Sequence, residues 1–545
     1  VKFSTGLLND HIEFAGRLSQ IKSDGYIDRA QANLKSYFLQ AAYVDDNTLL
    51  KAVVFGGHEN TYLAWNGIED VDVLENNRTY NISGSYTDVN GNPQFYDNEV
   101  DDYKQDHFQL HWNQHITNNW STNIGLNYTY GRGYYEQYKE EESFSDYGLA
   151  EINVGATVID ETDLVRRKWL DNDFYVANAS VNYKKDNLNI TAGGSYSYYD
   201  GDHFGEVIWA QFSGDNSINH RYYDGNGTKK DFSLFTKATY KLNDKFSLFG
   251  DLQLRMVDYE TTGLNSDRVP LVIDKNYNFF NPKAGVTYFL NTENNLYFSY
   301  ARANREPNKD DFEANANVKP EQLNDFELGW RYDKGNIKVN SNIYYMLYNE
   351  QLVLTGALDD VGSPIRANSG ESYRLGLEID AQIQFLDQFA IQPAVALSTN
   401  KNIKYKTQLD GELVNLGKTN ISFSPDIVAS NAFVYRPLNN LQISFLSKYI
   451  GQQYMGNTDS DTSKLDSYFV SDFNLFYELK PKSIFKSIVF SALVNNIFNK
   501  KYVSNGYYYT YDDTWSVPNQ TTTIEGAGYY PQATTNFLVG VTLKF

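Results

Sequence analysis

The sequence contains no cysteine among its 545 residues, and this absence excludes a disulfide scaffold and a thiolate metal site. No apolar run approaches the length of about 18 residues that a membrane-spanning helix needs. Basic residues are also scarce, 47 against 68 acidic ones, and the resulting net charge of −21 repels polyanions. The composition therefore argues against a nucleic acid as partner.

Motifs of enzymes are absent as well. The chain has no Gly-x-Ser-x-Gly elbow, no His-Glu-x-x-His pair and no phosphate-binding loop. His107, His111 and His115 share one face of a predicted strand, but neighbours four residues apart on a strand are separated by about 13 Å, too far for one ion to bridge. We therefore predict no catalytic residues, no enzyme activity, no metal site and no cofactor.

Aromatic residues are abundant, with 45 tyrosines and 33 phenylalanines. A mean hydropathy of −0.54 is ordinarily typical of a soluble protein. Strands that alternate lipid-facing and water-facing residues hide their apolar face from such an average, and aromatic residues gather at the two surfaces of a membrane. The composition thus fits a β-sheet in a membrane, with a tyrosine-rich soluble β-protein as the alternative.

Alternation with a period of two residues runs through the chain. In the last segment, Phe537, Val539 and Val541 oppose Asn536 and Thr542. We find 21 such segments, joined by short polar turns and long links in strict alternation. This order predicts an all-β fold, an antiparallel up-and-down barrel, and disfavours a sandwich or a propeller. No linker divides it, so we predict one domain over residues 1–545.

Three motifs occur in a fixed order along the chain. The first comprises Tyr297–Tyr300, Arg305–Pro307, Lys319–Glu321 and Asp325–Trp330, the second is Leu493–Tyr502, and the third is the C-terminal strand that ends at Phe545. Together they resemble the barrels of TonB-dependent outer-membrane receptors. We expect a structural role for these residues of the first motif: Arg305, Glu306, Pro307, Lys319, Pro320, Glu321 and Glu327.

The resemblance implies a transmembrane barrel of 22 strands in the outer membrane. It also implies that the C-terminal strand ends in the periplasm, and counting back through 21 strands then places Val1 at the extracellular side. We therefore expect a further first strand and a plug domain to be missing from this chain.

The function that the resemblance implies is import of a ferric siderophore or similar iron complex, energised by a TonB-type complex acting through the plug. Heme, cobalamin, and a saccharide or peptide served by a surface lipoprotein are alternative cargoes. The segments Ala303–Pro307 and Asn317–Pro320 depart from the boxes of heme receptors, and no histidine lies between Arg302 and Tyr332. A passive porin or a surface adhesin is the alternative of a different class.

Ligand-binding residues are expected in the long loops. The densest basic cluster is Arg166-Arg167-Lys168-Trp169, which we predict to lie on a loop and to bind either an anionic ferric chelate or lipopolysaccharide phosphate. Aromatic and histidine side chains that could stack on a flat chelate, or pack within the loops instead, complete the candidate site: Arg166, Arg167, Trp169, His203, Trp209, His220, Arg221, Tyr222, Tyr223, Tyr507, Tyr508, Tyr509 and Trp515.

Overall fold

A computed structural model describes residues 1–217, 219–358, 364–481 and 484–545. The chain divides into two compact units. The N-terminal unit comprises Val1–Asn66, Thr79–Tyr240 and Asp251–Asn281, and the C-terminal unit comprises Gly67–Arg78, Lys241–Gly250 and Pro282–Phe545.

The first half of the chain contains 15 strands, one α-helix and one 3-10 helix. In order these are β1 Lys2–Ser4, β2 Ile12–Ser23, β3 Ala32–Val44, β4 Thr48–Tyr62, α1 Val71–Asn76, β5 Ser85–Thr87, β6 Pro93–Phe95, β7 Val100–His115, β8 Trp120–Ser143, the 3-10 helix Phe144–Tyr147, β9 Ile152–Val154, β10 Thr157–Ile159, β11 Glu161–Lys185, β12 Leu188–Ala210, β13 His220–Lys241, β14 Phe246–Gly263 and β15 Ile273–Phe289.

The second half continues in the same way, with a second α-helix and a second 3-10 helix. Its elements are β16 Asn294–Arg305, α2 Lys309–Ala314, β17 Glu321–Lys334, β18 Ile337–Asn349, β19 Leu352–Leu358, β20 Pro364–Asn368, β21 Ser372–Leu386, β22 Phe389–Leu409, β23 Glu412–Asn420, β24 Ile427–Leu438, β25 Leu441–Ile450, β26 Gln453–Tyr454, the 3-10 helix Asp461–Ser463, β27 Lys464–Leu465, β28 Tyr468–Leu479, β29 Ser487–Asn495, β30 Val503–Asp513, β31 Thr522–Pro531 and β32 Asn536–Lys544. Neither α-helix, nor any other helix in the described ranges, has the length and apolar character of a membrane span.

The main sheet has 22 strands, and its registered pairs are antiparallel. All 21 predicted segments fall on strands of this sheet, so the predicted up-and-down class is confirmed. The extra strand is β23, because β22 pairs with β24 through its first half and with β23 through its second. The other strands of the described residues form short hairpins, β5–β6, β9–β10, β19–β20, β26–β27 and β30–β31.

The sheet has one apolar face, which we define as the face that carries Phe108. Phe108 is 44% exposed, and it continues a row of directly opposed rings through Tyr128, Tyr175 and Tyr198. Neighbouring rings in this row lie 5.9, 4.9 and 6.5 Å apart. Trp120, eight residues before Tyr128 on β8, packs against the ring of Tyr183. Eight residues span about 27 Å along a strand, which fits two aromatic girdles around an apolar band about 25 Å tall.

The opposite face is polar. His107 Nδ1 lies 2.7 Å from Thr129 Oγ1, and His111 Nε2 lies 3.1 Å from Gln109 Oε1. Across the described ranges no group of three histidine or carboxylate side chains has the spacing to hold a metal ion. His107 is thus hydrogen-bonded to the neighbouring strand β8, and His111 to a residue of its own strand β7.

Four strands of the N-terminal unit are longer than their alternation predicted. Strands were expected over 119–133, 173–184, 187–200 and 230–242, whereas β8, β11, β12 and β13 reach Ser143, Glu161, Ala210 and His220. Beyond the membrane both faces are wet, so the apolar alternation that signals a strand disappears. The backbone ladder nevertheless continues, since β11 is paired with β8 on one side and β12 on the other.

Candidate ligand-binding surface

The outer part of the N-terminal unit contains a small apolar core. The 3-10 helix Phe144–Tyr147 ends at Gly148, whose φ of 63° lies in the left-handed region that glycine adopts without strain. This turn brings its aromatic residues onto the ends of the long strands. The buried residues of the core are Phe144, Tyr147, Leu149, Leu164, Val207, Tyr222 and Tyr223.

Arg166 lies in β11 and not on a loop, so the predicted placement of the basic cluster is wrong. Its side chain is used internally. Nε and Nη2 donate to Gln137 Oε1 at 3.1 and 2.9 Å, and Nη1 donates to Tyr147 Oη at 3.2 Å. With 8% of its surface exposed, Arg166 is part of the packing of this unit and presents little surface to a ligand.

Arg167 is on the opposite face of β11 from Arg166. Its Nε donates to Glu136 Oε2 at 2.7 Å, and its guanidinium lies 4.2 Å from the centre of the Tyr134 ring. Glu136, only 2% exposed, also accepts hydrogen bonds from Tyr96 Oη at 2.7 Å and Asn98 Nδ2 at 2.6 Å. A carboxylate this deeply buried is stabilised by such partners, which ties Arg167 to a structural role.

Glu99 lies next to this network and accepts a hydrogen bond from the backbone N–H of Tyr138 at 2.9 Å. Burial raises the pKa of its carboxyl to about 7, against the lowering effect of that hydrogen bond and of Lys139 and Arg166. Its protonated form is therefore populated near neutral pH.

Trp169, Phe204 and Arg221 form a stack at the surface. Trp169 Nε1 donates to Glu206 Oε2 at 3.0 Å, and its ring stacks on Phe204 at 5.8 Å. Arg221 lies 3.6 Å from the centre of the Phe204 ring and pairs with Asp224 at 2.8 Å. Strand alternation places Trp169 on the apolar face, the face that also carries Tyr175 further along β11.

The remaining candidates of this unit lie in strands too. His203 and Trp209 belong to β12, where Trp209 is exposed and stacks on Tyr138, while His220, Tyr222 and Tyr223 belong to β13. Tyr222 and Tyr223 are buried in the small core. The candidates of this unit therefore lie close together, but most of them pack against other residues of the unit and are not open to a ligand.

In the C-terminal unit the candidates lie on the hairpin β30–β31 and the segment that joins its strands. Tyr508 points into a small core with Met455, Leu465 and Ala527, and it donates to Glu525 Oε1 at 2.8 Å. Burial is the largest of the effects that raise the pKa of Tyr508, which reaches about 12. At 4% exposure, Tyr508 is a packing residue.

Tyr507 and Tyr509 lie on the other face of β30. Their hydroxyls donate to the two carboxylate oxygens of Glu69, at 2.8 and 3.2 Å. Glu69 is held in place because the neighbouring Ile68 exchanges two backbone hydrogen bonds with Tyr529 of β31, at 2.9 and 3.0 Å. Two phenols are thus aligned along one face of the hairpin.

Tyr511 extends this face, two residues beyond Tyr509. Its ring stacks on Trp515 with an interplanar angle of 2° and a separation of 6.1 Å, and Trp515 is 70% exposed. We call Tyr507, Tyr509, Tyr511 and Trp515 the outer aromatic surface. Tyr511 and Glu69 were missed by the sequence analysis, although the period-two spacing of tyrosines at 507, 509 and 511 would have pointed to Tyr511.

The signature residues make contacts between elements of the C-terminal unit. Arg305 Nη2 donates to Glu321 Oε2 at 3.2 Å and to the carbonyl of Leu352 at 3.3 Å, and the N–H of Leu352 donates to Glu321 at 2.7 Å. Lys319 Nζ pairs with Glu350 at 2.7 Å. These contacts join the ends of β16, β17 and β19, and the structural role of the signature residues stays a prediction.

Other signature residues lie around helix α2. Glu306 is buried, Pro307 precedes Asn308, the residue that caps α2, Pro320 leads into β17, and Glu327 lies within β17 opposite Ser299. The helix is tied to the hairpin β19–β20 by Arg366, whose Nε and Nη2 donate to the two oxygens of Asp311 at 2.9 Å each.

A family model described as "TonB dependent receptor-like, beta-barrel" matches residues 42–499. The Catecholate siderophore receptor Fiu of Escherichia coli K12 is 21% identical over 317 residues, which cover 52% of this chain and 39% of the relative. The chain therefore matches well under half the length of this curated relative.

Solved structures share the fold. The closed form of the ferric-catecholate import receptor Fiu from E. coli K12 superimposes with a TM-score of 0.71 at 15% identity, covering 100% of this chain and 79% of that one. The siderophore receptor PiuA from Acinetobacter baumannii gives a TM-score of 0.68 at 16% identity, with coverages of 97% and 77%. The ferric citrate transporter FecA gives 0.70 at 14%, with coverages of 99% and 74%.

These receptors serve transport and are not enzymes, and their barrels lie in the outer membrane. The chain belongs to the family of TonB-dependent receptor β-barrels.

Proposed function

We propose that this chain is the barrel of a receptor that imports a ferric siderophore, of the catecholate class, across the outer membrane. Energy is supplied by a TonB-type complex that acts through a plug domain carried by the whole receptor. Similarity to receptors named for catecholate chelates supports this class of cargo. At identities of 15–21%, the residues that contact the ligand have to be identified in this chain itself.

The observation that carries the proposal is the outer aromatic surface. A ferric catecholate presents flat, electron-rich rings around an anionic centre, and offset stacking on tyrosine and tryptophan suits such rings. The exposed Tyr511–Trp515 pair offers that stacking face. Tyr507 and Tyr509 can in addition donate hydrogen bonds to catecholate oxygens if they exchange Glu69 for the ligand.

Electrostatics add a constraint. With a net charge of −21, the average surface repels an anionic chelate. Because the basic cluster around Arg166 is engaged within its own unit, charge attraction there contributes little. Recognition by stacking and neutral hydrogen bonds is consistent with this distribution of charge.

The test uses the whole receptor as its gene encodes it, purified in detergent, with binding of radio-iron complexes measured at equilibrium. A ferric tris-catecholate should bind more tightly than ferric citrate, heme or cobalamin. Trp515→Ala should weaken catecholate binding by about threefold to tenfold, the range expected for loss of one aromatic contact. Trp209→Ala, which removes another exposed tryptophan, is the matched control and should leave binding unchanged.

Other outcomes would replace the proposal. Tighter binding of heme, cobalamin or a saccharide or peptide would change the cargo, and for the last a surface lipoprotein would be the expected co-purifying partner. Weakening by Trp209→Ala alone would move the site to the N-terminal unit. If the whole receptor bound no chelate and admitted neutral sugars into liposomes, a passive porin would be the better description.

A further inference from the structure

Two lysines, a histidine and an arginine form an uninterrupted row across strands β3, β4, β7 and β8. Lys35 lies directly opposite His58, His58 opposite Lys104, and Lys104 opposite Arg132. Directly opposed residues have Cβ atoms about 4.5–5.5 Å apart, so these side chains are neighbours across the strands. We call Lys35, His58, Lys104 and Arg132 the basic row.

The basic row lies on the apolar face, just beyond the membrane band. Along β3 and β7, Lys35 and Lys104 are each four residues from Leu39 and Phe108, which belong to the exposed girdle level. An even spacing puts them on the same face, about 13 Å further along the strand. Because the short turns Asp45–Asn47 and Ile116–Asn119 join these strands at the opposite end, the row lies on the side of the long connections. Long connections are extracellular in outer-membrane barrels, which places the row at the headgroups of the outer leaflet.

The positive charges of the row are only partly compensated. Arg132 Nη1 pairs with Asp106 at 2.7 Å, and His58 Nε2 lies 2.9 Å from Asp102. Lys35 and Lys104 are exposed, and neither makes an ion pair with any residue in the described ranges. Lys104 lies directly opposite Arg132, and like charges in that position destabilise a sheet, so an anion bound beside Lys104 would relieve the repulsion within the row.

On the next strand, β11, the residue in this row is acidic, so the basic row ends at β8. The row continues from Arg132 to Asp171 on β11 and from Asp171 to Asp202 on β12. An anion is therefore attracted to β3, β4, β7 and β8 and repelled from β11 and β12.

The surface beneath the row is concave and partly apolar. Gly56 lies between Tyr37 and Asp106 in the next row towards the membrane, and these two side chains cover it closely, since a Cβ there would lie 2.8 Å from the Tyr37 ring and closer still to Asp106 Oδ1. An open cleft of about 490 Å³ is lined by Lys35, Lys104, Arg132, Tyr37 and Leu18, and also by Asp106, the carboxylate that pairs with Arg132. Leu18 is 66% exposed, so the cleft has cations at its outer end and an apolar side chain at its membrane end.

We propose that this cleft binds a phosphate group of an outer-leaflet lipid, with the phosphate between Lys35 and Lys104 and the lipid chains along Leu18 and Leu39. A phosphate at this depth accepts charged hydrogen bonds from both lysines. The apolar end favours a lipid over free phosphate, and lipopolysaccharide is the phosphate-bearing lipid of this leaflet. The inference relies on the outer-membrane location and not on the proposed cargo.

The test measures binding of lipid A to the whole receptor in detergent by native mass spectrometry. Lys35→Gln with Lys104→Gln should weaken lipid A binding by about tenfold or more, since two charged contacts are lost. Lys184→Gln with Lys185→Gln removes the same charge at the far end of β11 in the same unit and should leave binding unchanged.

Two further ligands identify what the row recognises. Dephosphorylated lipid A should bind the unchanged receptor as weakly as lipid A binds the Lys35/Lys104 variant, and inorganic phosphate should not compete. Equal affinity of both variants for lipid A, or equal binding of the dephosphorylated lipid, would overturn the proposal. Competition by inorganic phosphate at equal concentration would make the row a free-anion site. Ferric chelate binding should be the same in both variants, so a failure here is separate from a failure of the proposed cargo.

Discussion

The two units build their extracellular parts in different ways. In the N-terminal unit the membrane strands simply continue outward, and β8, β11, β12 and β13 have 24, 25, 23 and 22 residues. In the C-terminal unit the sheet strands are mostly shorter, and the hairpins β19–β20 and β30–β31 lie outside the sheet. Their strands have 5 to 11 residues, whereas those of the hairpins β5–β6 and β9–β10 in the N-terminal unit have 3 each. In the N-terminal unit, the hydrogen bonds of the sheet hold the outer parts of the strands in place. In the C-terminal unit, contacts between side chains contribute more to holding the hairpins.

The difference decides which aromatic and charged residues remain open to a ligand. On the extended strands each side chain has neighbours on two adjacent strands, so Arg166, Arg167 and Trp169 are drawn into hydrogen bonds and stacks. On a two-stranded hairpin one face can pack while the other stays open. Tyr508 lies on the packed face of β30. Tyr511 lies on the open face, where its ring stacks on Trp515.

The largest effect on stability is expected from removing a buried ion pair of the C-terminal unit. Arg366→Ala leaves Asp311, which is 1% exposed, as a buried carboxylate without its bidentate partner. Breaking a buried ion pair by removing one partner costs about 3–5 kcal/mol. Hydrogen exchange should therefore increase in Leu352–Leu358 and in α2, while the sheet strands stay protected.

Arg305→Ala is the matched control for this change. Arg305 also contacts β17 and β19, but its guanidinium is about half exposed and its loss should cost no more than about 1 kcal/mol. Equal effects of the two substitutions would mean that the hairpin does not depend on the buried pair.

The second effect is a pH dependence confined to the N-terminal unit. Because burial raises the pKa of Glu99 to about 7 from 4.5, the folded state binds more protons than the unfolded state between these values. The stability of this region should be full below about pH 4.5 and should fall as the pH rises to about 7, by at most about 3 kcal/mol. Hydrogen exchange of the Tyr138 N–H, corrected for its intrinsic rate, measures the change.

Glu99→Gln serves as the control, because a glutamine oxygen can still accept from the Tyr138 N–H but does not titrate. Its exchange profile should be flat across the same pH range. A variant that kept the slope of the unchanged protein would assign the titration to another group.

Much of this fold could be predicted from the sequence because a membrane imposes a strict alternation. Each crossing of the apolar band repeats the pattern seen in Phe537, Val539 and Val541, so all 21 segments were found. Outside the membrane that constraint ends. The extension of β11 to Glu161 depends on pairing with β8 and β12 along their outer ends, which the alternation does not reveal, and so Arg166 was assigned to a loop.

The candidate site was only partly predictable, because residue type does not fix the packing of a hairpin. Residue type identified Tyr507, Tyr509 and Trp515, but whether a tyrosine packs or stays open depends on which face of the hairpin meets the core. Tyr508 and Tyr509 are neighbours in sequence and lie on opposite faces. The carboxylate that binds Tyr507 and Tyr509 is Glu69, which is 438 residues from Tyr507 in the chain, a separation that the sequence alone does not bridge.

A smaller effect should follow from Tyr147→Phe in the N-terminal unit. The change removes the hydroxyl that donates to Glu142 at 2.6 Å and accepts from Arg166 at 3.2 Å, while the ring stays in the small core. Loss of a buried hydrogen bond to a charged group costs about 1–3 kcal/mol. Exchange should increase in Phe144–Leu149 only, since β11 keeps its ladders on both sides. Increased exchange along β11 would show that the extended strands also depend on side-chain ties.

The smallest effect on stability should come from Trp515→Ala, at the open face of the hairpin β30–β31. Trp515 is 70% exposed, and its ring contact within the described residues is the stack on Tyr511. The free energy of unfolding should therefore change by no more than about 0.5 kcal/mol. Tyr508→Ala, on the packed face of the same hairpin, is the comparison, because it empties part of the small core and should cost about 3–5 kcal/mol.

The two substitutions should also separate stability from ligand binding. Trp515→Ala should leave the unfolding transition unchanged and weaken ferric catecholate binding, whereas Tyr508→Ala should lower stability first and binding only as a consequence. Thermal unfolding and equilibrium binding, measured on the same preparations of the whole receptor, distinguish these outcomes. If Trp515→Ala lowered stability as much as Tyr508→Ala, the face of β30 that we describe as open would be a packed one. The proposal that the outer aromatic surface binds a ligand would then be wrong, because a chelate can stack only on a ring whose face is exposed.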